Sequence, residues 1–261
     1  MVLKTRQLRT VCDEAHCPNK SECWESGTAT FMVMGDVCTR NCRFCAVNSG
    51  PKGKPLRADE GAKIAAAVKE LGLSYAVITS VDRDDLEDRG SSHIAACIRA
   101  IKLEAPDLKI EVLIPDYTPA ELECIIAAAP DVLAHNVETV RRLQNIRDHR
   151  ASFDASLRTL KAASCGGLII KSSILLGFGE REDEIFSAMD ELRDANVSIL
   201  VMGQYMRPSK QQLPVTEYIT PELFTRYAEE GRKRGFATVI STPLARTSYH
   251  AKDVLNNLNI H

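Results

Sequence analysis

Short apolar runs rich in β-branched residues recur along the chain at a nearly even pitch, separated by longer stretches whose apolar positions return with helical spacing. The runs TFMVMG (30–35), SYAVITS (74–80), LKIEVLI (108–114), DVLAH (131–135), LIIKSSILL (168–176) and VSILVMG (197–203) predict strands. Between them ADEGAKIAAAVKEL (58–71), SSHIAACIRAIKLE (91–104), TPAELECIIAAA (118–129) and EREDEIFSAMDELRDAN (180–196) predict helices. Strands alternating with helices imply a parallel sheet, and continuously apolar strands imply that both of its faces are covered. Six such units predict a partial TIM-like α/β barrel with helices outside, although a doubly wound open sheet shares the same alternation and stays open at this point. In either architecture the chemistry belongs at the C-terminal ends of the strands. The segment FATVIST (236–242) is a further candidate strand, feeding the tail PLARTSYHAKD.

Charge narrows the partners. With 33 Lys+Arg against 35 Asp+Glu over 261 residues, the net charge of −2 provides no general attraction to nucleic acid or to an anionic membrane. No run approaches the ~18 apolar residues of a membrane span, and MVLKTRQLRT lacks the apolar core of a signal peptide, so a cytoplasmic location is expected. Arg141, Arg142, Arg147 and Arg150 gather in one segment, either as a docking face for an acidic protein or as a solvated basic surface.

Cysteine usage changes the picture more. Of nine cysteines, six fall between positions 12 and 45, and clustered thiols in a reducing compartment read as metal ligands before disulfides. CTRNCRFC places Cys38, Cys42 and Cys45 in the loop after the first predicted strand, where the catalytic end of a β/α fold lies. Three thiolates suit a four-iron cluster with one iron left for a substrate; a structural zinc site asks for a fourth ligand, which is missing locally although His16 is near in sequence. Upstream, CDEAHCPNKSEC offers Cys12, Cys17 and Cys23, again without a fourth ligand, and here a zinc-stabilised arm and a second cluster both remain open. Cys97, on a stripe with Ile94, Ile98 and Ile101, together with Cys124 and Cys165, reads as core.

Cys38, Cys42 and Cys45, with Phe44 before the last, resemble the cluster motif of radical S-adenosylmethionine enzymes. Cys12, Cys17 and Cys23 in CDEAHCPNKSECW, continuous with GTATFMVMGDVCTRNCRFCAV, are similar to the lipoyl synthase family of that class. So are ITSVDRDDLEDRGSSH (78–93), HNVETV (135–140), GQYMRPSKQQLPV (203–215) and ARTSYHA (245–251), which together cover nearly the whole chain. The chain departs from the family pattern in RRLQNIRDHRASF, which lacks a Leu-Tyr-Pro run, at Gln212 in place of histidine, and at Thr242 in place of glycine.

The resemblance implies a partial (β/α)6 barrel over 30–235, an N-terminal auxiliary-cluster extension over 1–29, and a C-terminal segment over 236–261 that closes over the auxiliary cluster. It implies two [4Fe–4S] clusters and S-adenosylmethionine as cofactors. Cys38, Cys42 and Cys45 would hold the cluster that cleaves S-adenosylmethionine; Cys12, Cys17 and Cys23, with Ser248 of RTSYHA as fourth ligand, would hold the cluster that gives up its sulfur. Candidate contacts to S-adenosylmethionine, besides Phe44, are Ser80 and Asp82 after the second strand, Asn136 and Glu138 after the fourth, and Gln204 after the sixth. The implied activity inserts two sulfur atoms, at carbons 6 and 8 of an octanoyl chain on a lysine of a lipoyl carrier protein. That carrier is the E2 subunit of a 2-oxoacid dehydrogenase or the H protein of glycine cleavage. A ferredoxin or flavodoxin would supply electrons, an iron–sulfur carrier would renew the cluster, and the chain would act as a monomer, with no nucleic acid or membrane partner.

Overall fold

The computed structural model describes residues 2–14, 17 and 19–258. Its main sheet runs from Arg9–Thr10 (β1) through Thr28–Val33 (β2) and, past a small two-stranded sheet of Val37–Cys38 (β3) and Asn48–Ser49 (β4), to Tyr75–Ser80 (β5). Lys109–Leu113 (β6), Val132–Ala134 (β7), Ile169–Leu176 (β8), Ile199–Gln204 (β9) and Thr238–Ser241 (β10) follow. The strand order β1-β2-β5-β6-β7-β8-β9-β10 keeps sequence neighbours side by side, and every pairing from β2 to β10 is parallel. A doubly wound sheet reverses its order at a switch point; this one never does, so the sheet curls into a partial barrel. FATVIST supplies β10, and β1 pairs antiparallel on the outer edge of β2.

The predicted strands stand within a residue or two, the first of them shifted two residues earlier at both ends. Met34 (φ +67°) and Gly35 (φ +90°) lie in the left-handed region and turn the chain out of the sheet after Val33. The helices are Val2–Thr5 (α1), Val11–Glu14 (α2), Lys20–Glu25 (α3), Glu60–Leu71 (α4), Ser91–Glu104 (α5), Pro119–Ala127 (α6), Phe153–Ser164 (α7), Glu182–Asp194 (α8), Pro221–Lys233 (α9) and Ala251–Leu258 (α10). Their ends are marked chemically. At α6, for example, the Thr118 hydroxyl and the Glu121 carboxylate form a reciprocal cap with Pro119 in the first turn.

Alternation along the strands separates two cores. Ala76, Ile78, Ile110, Val112, Leu133, Ile170 and Leu200 face outward, onto helix residues such as Ile64, Ile98, Leu122, Leu160 and Phe224. The inner face is filled from the strand beginnings by α10: Tyr75, Val77 and Val132 meet Ala251 and Leu255, while Ile199 and Val201 meet Ala245 and Val254. Beside them lies a buried triad, where Lys171 Nζ donates to Glu111 Oε2 at 2.9 Å and the Tyr75 hydroxyl donates to the same oxygen at 2.9 Å. Burial, with the adjacent carboxylate, keeps the Tyr75 hydroxyl protonated well above its ordinary range. Plugged below, the barrel interior opens at the C-terminal ends of its strands. No helix among the described residues is long and apolar enough to cross a membrane.

Candidate active site

The loop after β2 is clasped at its base by the β3–β4 pair, and Gly50 N donates to the Cys38 carbonyl at 2.9 Å. Its crown is stitched to the barrel rim: Thr39 N to Asp82 O (2.9 Å), Arg43 N to Ile146 O (2.8 Å), Asn41 N to Asp148 Oδ2 (2.9 Å) and Gln212 Nε2 to Cys45 O (3.1 Å). Arg40, between the first two thiols, is buried and binds three acids from strand ends: Asp82 at 3.4 Å, Asp84 at 3.0 Å, and Asp116. Backbone N–H groups of Arg40 and Asp148 point at Cys38 Sγ (3.4 Å) and Cys42 Sγ (3.3 Å), a setting that favours sulfur carrying negative charge. Burial meanwhile pushes the Cys38 and Cys42 thiols up to about 12 and raises Cys45 as well, so these protons leave when a metal displaces them.

The candidate contacts gather around this loop. A cavity of about 150 Å³ is lined by Cys42, Phe44, Ser80, Asp82, Asn136 and Glu138. Ser80 Oγ is buried with no hydrogen-bond partner, and Asp82, raised above the usual carboxylate range by burial, faces Cys38 Sγ at 3.6 Å. Glu138 holds a left-handed backbone (φ +67°) and bridges to β8, donating N–H to Ser173 O at 3.2 Å. That conformation is costly for a side chain with a Cβ, and its burial also raises the Glu138 carboxyl. Gln204 is turned differently. Its amide donates to the carbonyls of Tyr205 and Glu217, both at 3.1 Å, and accepts from Ile219 N at 2.9 Å, so it braces the loop beyond β9 while the rest of the residue lines a second, larger cavity.

The second thiol trio rides on short helical turns. Cys12 lies in α2, Cys23 in α3, and Cys17 N donates to Cys12 O at 3.0 Å; His16 is outside the described residues. Burial raises the Cys12 thiol, with Cys17 adding to the shift, and pushes Cys23 up to about 11, with Cys12 and Cys17 adding to it. The C-terminal tail reaches this arm from inside the barrel. Asn19 Nδ2 donates to Leu244 O at 2.6 Å, the Tyr249 hydroxyl reaches Glu22 at 3.2 Å, and Asn136 Nδ2 donates to Thr247 Oγ1 at 3.0 Å. Ser248 is thereby brought to the larger cavity, of about 490 Å³, which is lined by Cys45 of the first trio, by Cys12 and Cys17 of the second, and by apolar Val47, Val77, Leu113, Ile174 and Val201.

Neither trio, among the described residues, has its three sulfurs within 4.8 Å of one another, as one tetrahedral zinc ion asks; a wider polynuclear cluster suits that spread. The sequence did not single out Arg40, Asp84, Asp116, Asp148, Arg246 or Thr247, although all but Asp116 stand inside the quoted segments. The arginine segment is occupied internally: Arg141 pairs with Asp154 (2.7 Å) and Glu191, Arg142 with Glu184 (2.6 Å), Arg150 with Asp148 (2.7 Å), and buried Arg147 with Ser156 (2.9 Å). Cys97 is core, but Cys165 is exposed at the end of α7.

A parallel barrel carrying three thiols on its first loop defines a class. The family model described as the radical SAM superfamily matches residues 32–192. Solved structures share the fold at low identity: the FeFe-hydrogenase maturase HydG from Carboxydothermus hydrogenoformans (TM-score 0.68, 19% identity, 88% of this chain and 56% of that one) and methylornithine synthase (TM-score 0.62, 14% identity, 89% and 81%). Curated lipoyl synthases are far more similar. That of Methanocella arvoryzae is 50% identical over 96% of this chain and 86% of its own, that of Picrophilus torridus 52% over 96% and 88%, and the mitochondrial one of Oryza sativa subsp. indica 47% over 95% and 68%. The chain belongs to the lipoyl synthase family, sulfurtransferases of the radical SAM class whose cofactors are S-adenosylmethionine and [4Fe–4S] clusters.

Proposed function

We propose that Cys38, Cys42 and Cys45 hold the cluster that binds S-adenosylmethionine, and that Cys12, Cys17 and Cys23 with Ser248 hold a second, sulfur-donating cluster. The observation that carries this reading is one cavity lined by thiols of both trios and by Ser248, with apolar walls suited to an octanoyl chain. When bound, S-adenosylmethionine and the reduced first cluster supply a carbon radical able to take hydrogen from an unactivated methylene, which no acid or base side chain can do.

The chain's own residues bind, orient and exclude water. Arg40 ties the thiol loop to three strand ends and so fixes where the first cluster stands. Ser80, Asp82, Asn136 and Glu138 present a hydroxyl, an amide and carboxylates suited to the amino-acid and ribose groups of S-adenosylmethionine, with Phe44 as an apolar wall. Gln204 acts through the loop it braces. Thr247, bonded to Asn136, joins the tail bearing Ser248 to the strand-end groups.

The arm of the second site falls in 1–29 and its tail in 236–261 around a barrel of 30–235, with the start of β2 and the whole of β10 lending strands to the barrel sheet from those flanking segments. The substrate is the octanoyl-lysine of a lipoyl carrier, an E2 subunit or a glycine-cleavage H protein. A ferredoxin or flavodoxin gives electrons, an iron–sulfur carrier restores the donor cluster, and a monomer works in the cytoplasm. The test is anaerobic reconstitution, then mass analysis of an octanoyl-lysine peptide incubated with S-adenosylmethionine and a low-potential reductant. Lipoyl-lysine is the expected product; 5′-deoxyadenosine without any sulfur-containing peptide would refute the sulfur-donor assignment.

A further inference from the structure

Arg246 lines the larger cavity without a carboxylate partner among the described residues. The charge it faces is the thiol of Cys17, whereas Arg40, Arg141, Arg142 and Arg150 each have carboxylate partners. Among the described residues Arg246 has one hydrogen bond, from Nη1 to the Ala245 carbonyl at 2.7 Å, and no ion pair, so most of its N–H donors are left over. Nor does the side chain reach away into solvent. Nη1 lies 3.2 Å from where a Cβ on Gly203 of β9 would stand, and the residue lines the larger cavity together with Cys12, Cys17 and Ser248.

We propose that Arg246 is a positioning residue for the second cluster, its guanidinium donating hydrogen bonds to the sulfur atoms and offsetting the negative charge held there. The proposal rests on the reading that Cys12, Cys17, Cys23 and Ser248 are the ligands. A partly buried guanidinium without a counter-ion is expensive, and so is a cluster anion with three thiolates and an alkoxide around it; placed together, each lowers the cost of the other. Hydrogen bonds to cluster sulfurs also set how readily the cluster is reduced and how firmly it is held. The tail makes the pairing geometric, because Arg246 and Ser248 flank Thr247, whose hydroxyl is anchored to Asn136 (3.0 Å) and Ser173 (3.2 Å). One anchor thus presents a ligand and a counter-charge from the same strap. Glu138 also lines the cavity without pairing with Arg246, and the carboxylate of S-adenosylmethionine would be a further anion there, which the experiment separates from the cluster.

Arg246→Met and Arg246→Lys are compared with the parent as anaerobically reconstituted holoenzymes. The readouts are the rate at which iron of the second site passes to a chelator, the midpoint potential of that cluster by spectroscopically monitored titration, and the dissociation constant for S-adenosylmethionine. In Arg246→Met, release is expected to quicken by about ten- to a hundredfold, the usual effect of removing a partner that supports metal ligands, and the potential to move more negative. Arg246→Lys, which keeps the charge but loses the planar fork, falls between. Iron at the Cys38 site and affinity for S-adenosylmethionine stay at the parent's values. Parent-like release and potential in both variants overturn the proposal, and so does weakened S-adenosylmethionine binding with unchanged release. Should Arg246→Met not take up the second cluster, Arg246→Lys decides alone: faster release supports the role and parent-like release overturns it. A parent that reconstitutes with only about four irons fails the ligand assignment itself, a separate result.

Discussion

Replacing Gly203 with alanine tests whether the seat of the C-terminal tail on β9 is what brings Ser248 to the cavity. A Cβ at this position would lie 2.0 Å from the Ala245 carbonyl oxygen and 3.0 Å from its carbon. Ordinary carbon–oxygen contacts begin near 3.3 Å, so the tail must withdraw by roughly 1 Å or more. The strand cannot yield instead, because Gly203 is held in register against Leu175 of β8. Overpacking of this kind costs about 1–3 kcal/mol, and if Thr247 is lifted off Asn136 and Ser173, each lost hydrogen bond adds about 0.5–1.5 kcal/mol. A total near 3 kcal/mol weakens docking of the tail by about a hundredfold while sparing the barrel. Hydrogen exchange read by mass spectrometry is the assay: peptides from 242–256 are expected to exchange about a hundredfold faster, with β5 and β6 unchanged, and the second site to lose its iron first. Parent-like exchange of the tail in Gly203→Ala would refute the reasoning.

Ser248→Ala is expected to leave S-adenosylmethionine cleavage in place and to stop sulfur insertion, read as 5′-deoxyadenosine and lipoyl peptide from one anaerobic reaction; a normal lipoyl yield would make this serine a turn residue. Replacing Cys38, Cys42 and Cys45 together should remove about half of the roughly eight irons expected for two four-iron clusters and abolish cleavage. Lys171→Met strands the Glu111 carboxylate in the barrel interior, so denaturant unfolding should show a loss of about 3–5 kcal/mol, largely recovered by adding Glu111→Leu. His135 gives a pH dependence. Burial lowers its pKa from 6.5 to about 4, with Nδ1 donating to Ile114 O at 2.9 Å and Nε2 accepting from Ser156 at 2.8 Å. Because the unfolded chain binds the proton first, the contribution of this histidine is whole above about 6.5 and is lost as pH falls toward 4, about 3 kcal/mol in all. A shallower acid slope in unfolding of His135→Asn is the expected result.

The alternation of strands and helices was legible because its causes are local: β-branched runs, helical stripes and caps such as Thr118 and Glu121. Barrel and doubly wound sheet share those causes, so only strand order separates them. The thiol spacing was legible for the same local reason. What the sequence could not display were partners distant along the chain. Four arginines within ten positions read as a basic face, yet Arg147 is buried against Ser156 and the other three meet acids from other elements, Asp84, Glu184 and Glu191 among them. A polar residue at a strand end reads as a contact to ligand, and Ser80 with its unpartnered hydroxyl keeps that reading, but the amide of Gln204 is spent on backbone across the next loop.

The two thiol sites also differ in what supports them, and the difference matches the work proposed for each. The Cys38 loop is fixed by the β3–β4 clasp, by backbone bonds to the rim and by Arg40 among three acids, a network that holds a reusable group in one geometry. The Cys12 arm stands on helices of four and six residues, too short to be stable without packing, and although Ala245 and α10 on either side of Ser248 are packed in the barrel, the arm itself is linked to that tail by a few side-chain bonds. Segments with so few braces open at low cost in free energy. A cluster that gives up sulfur and must be rebuilt needs ligands that can part and close again, whereas a radical generator needs ligands that do not move. Stiffening the arm, for instance by a stronger ligand in Ser248→Cys, should therefore slow sulfur transfer more than it slows cleavage of S-adenosylmethionine. Equal slowing of the two would show that the looseness of the arm has no part in the reaction.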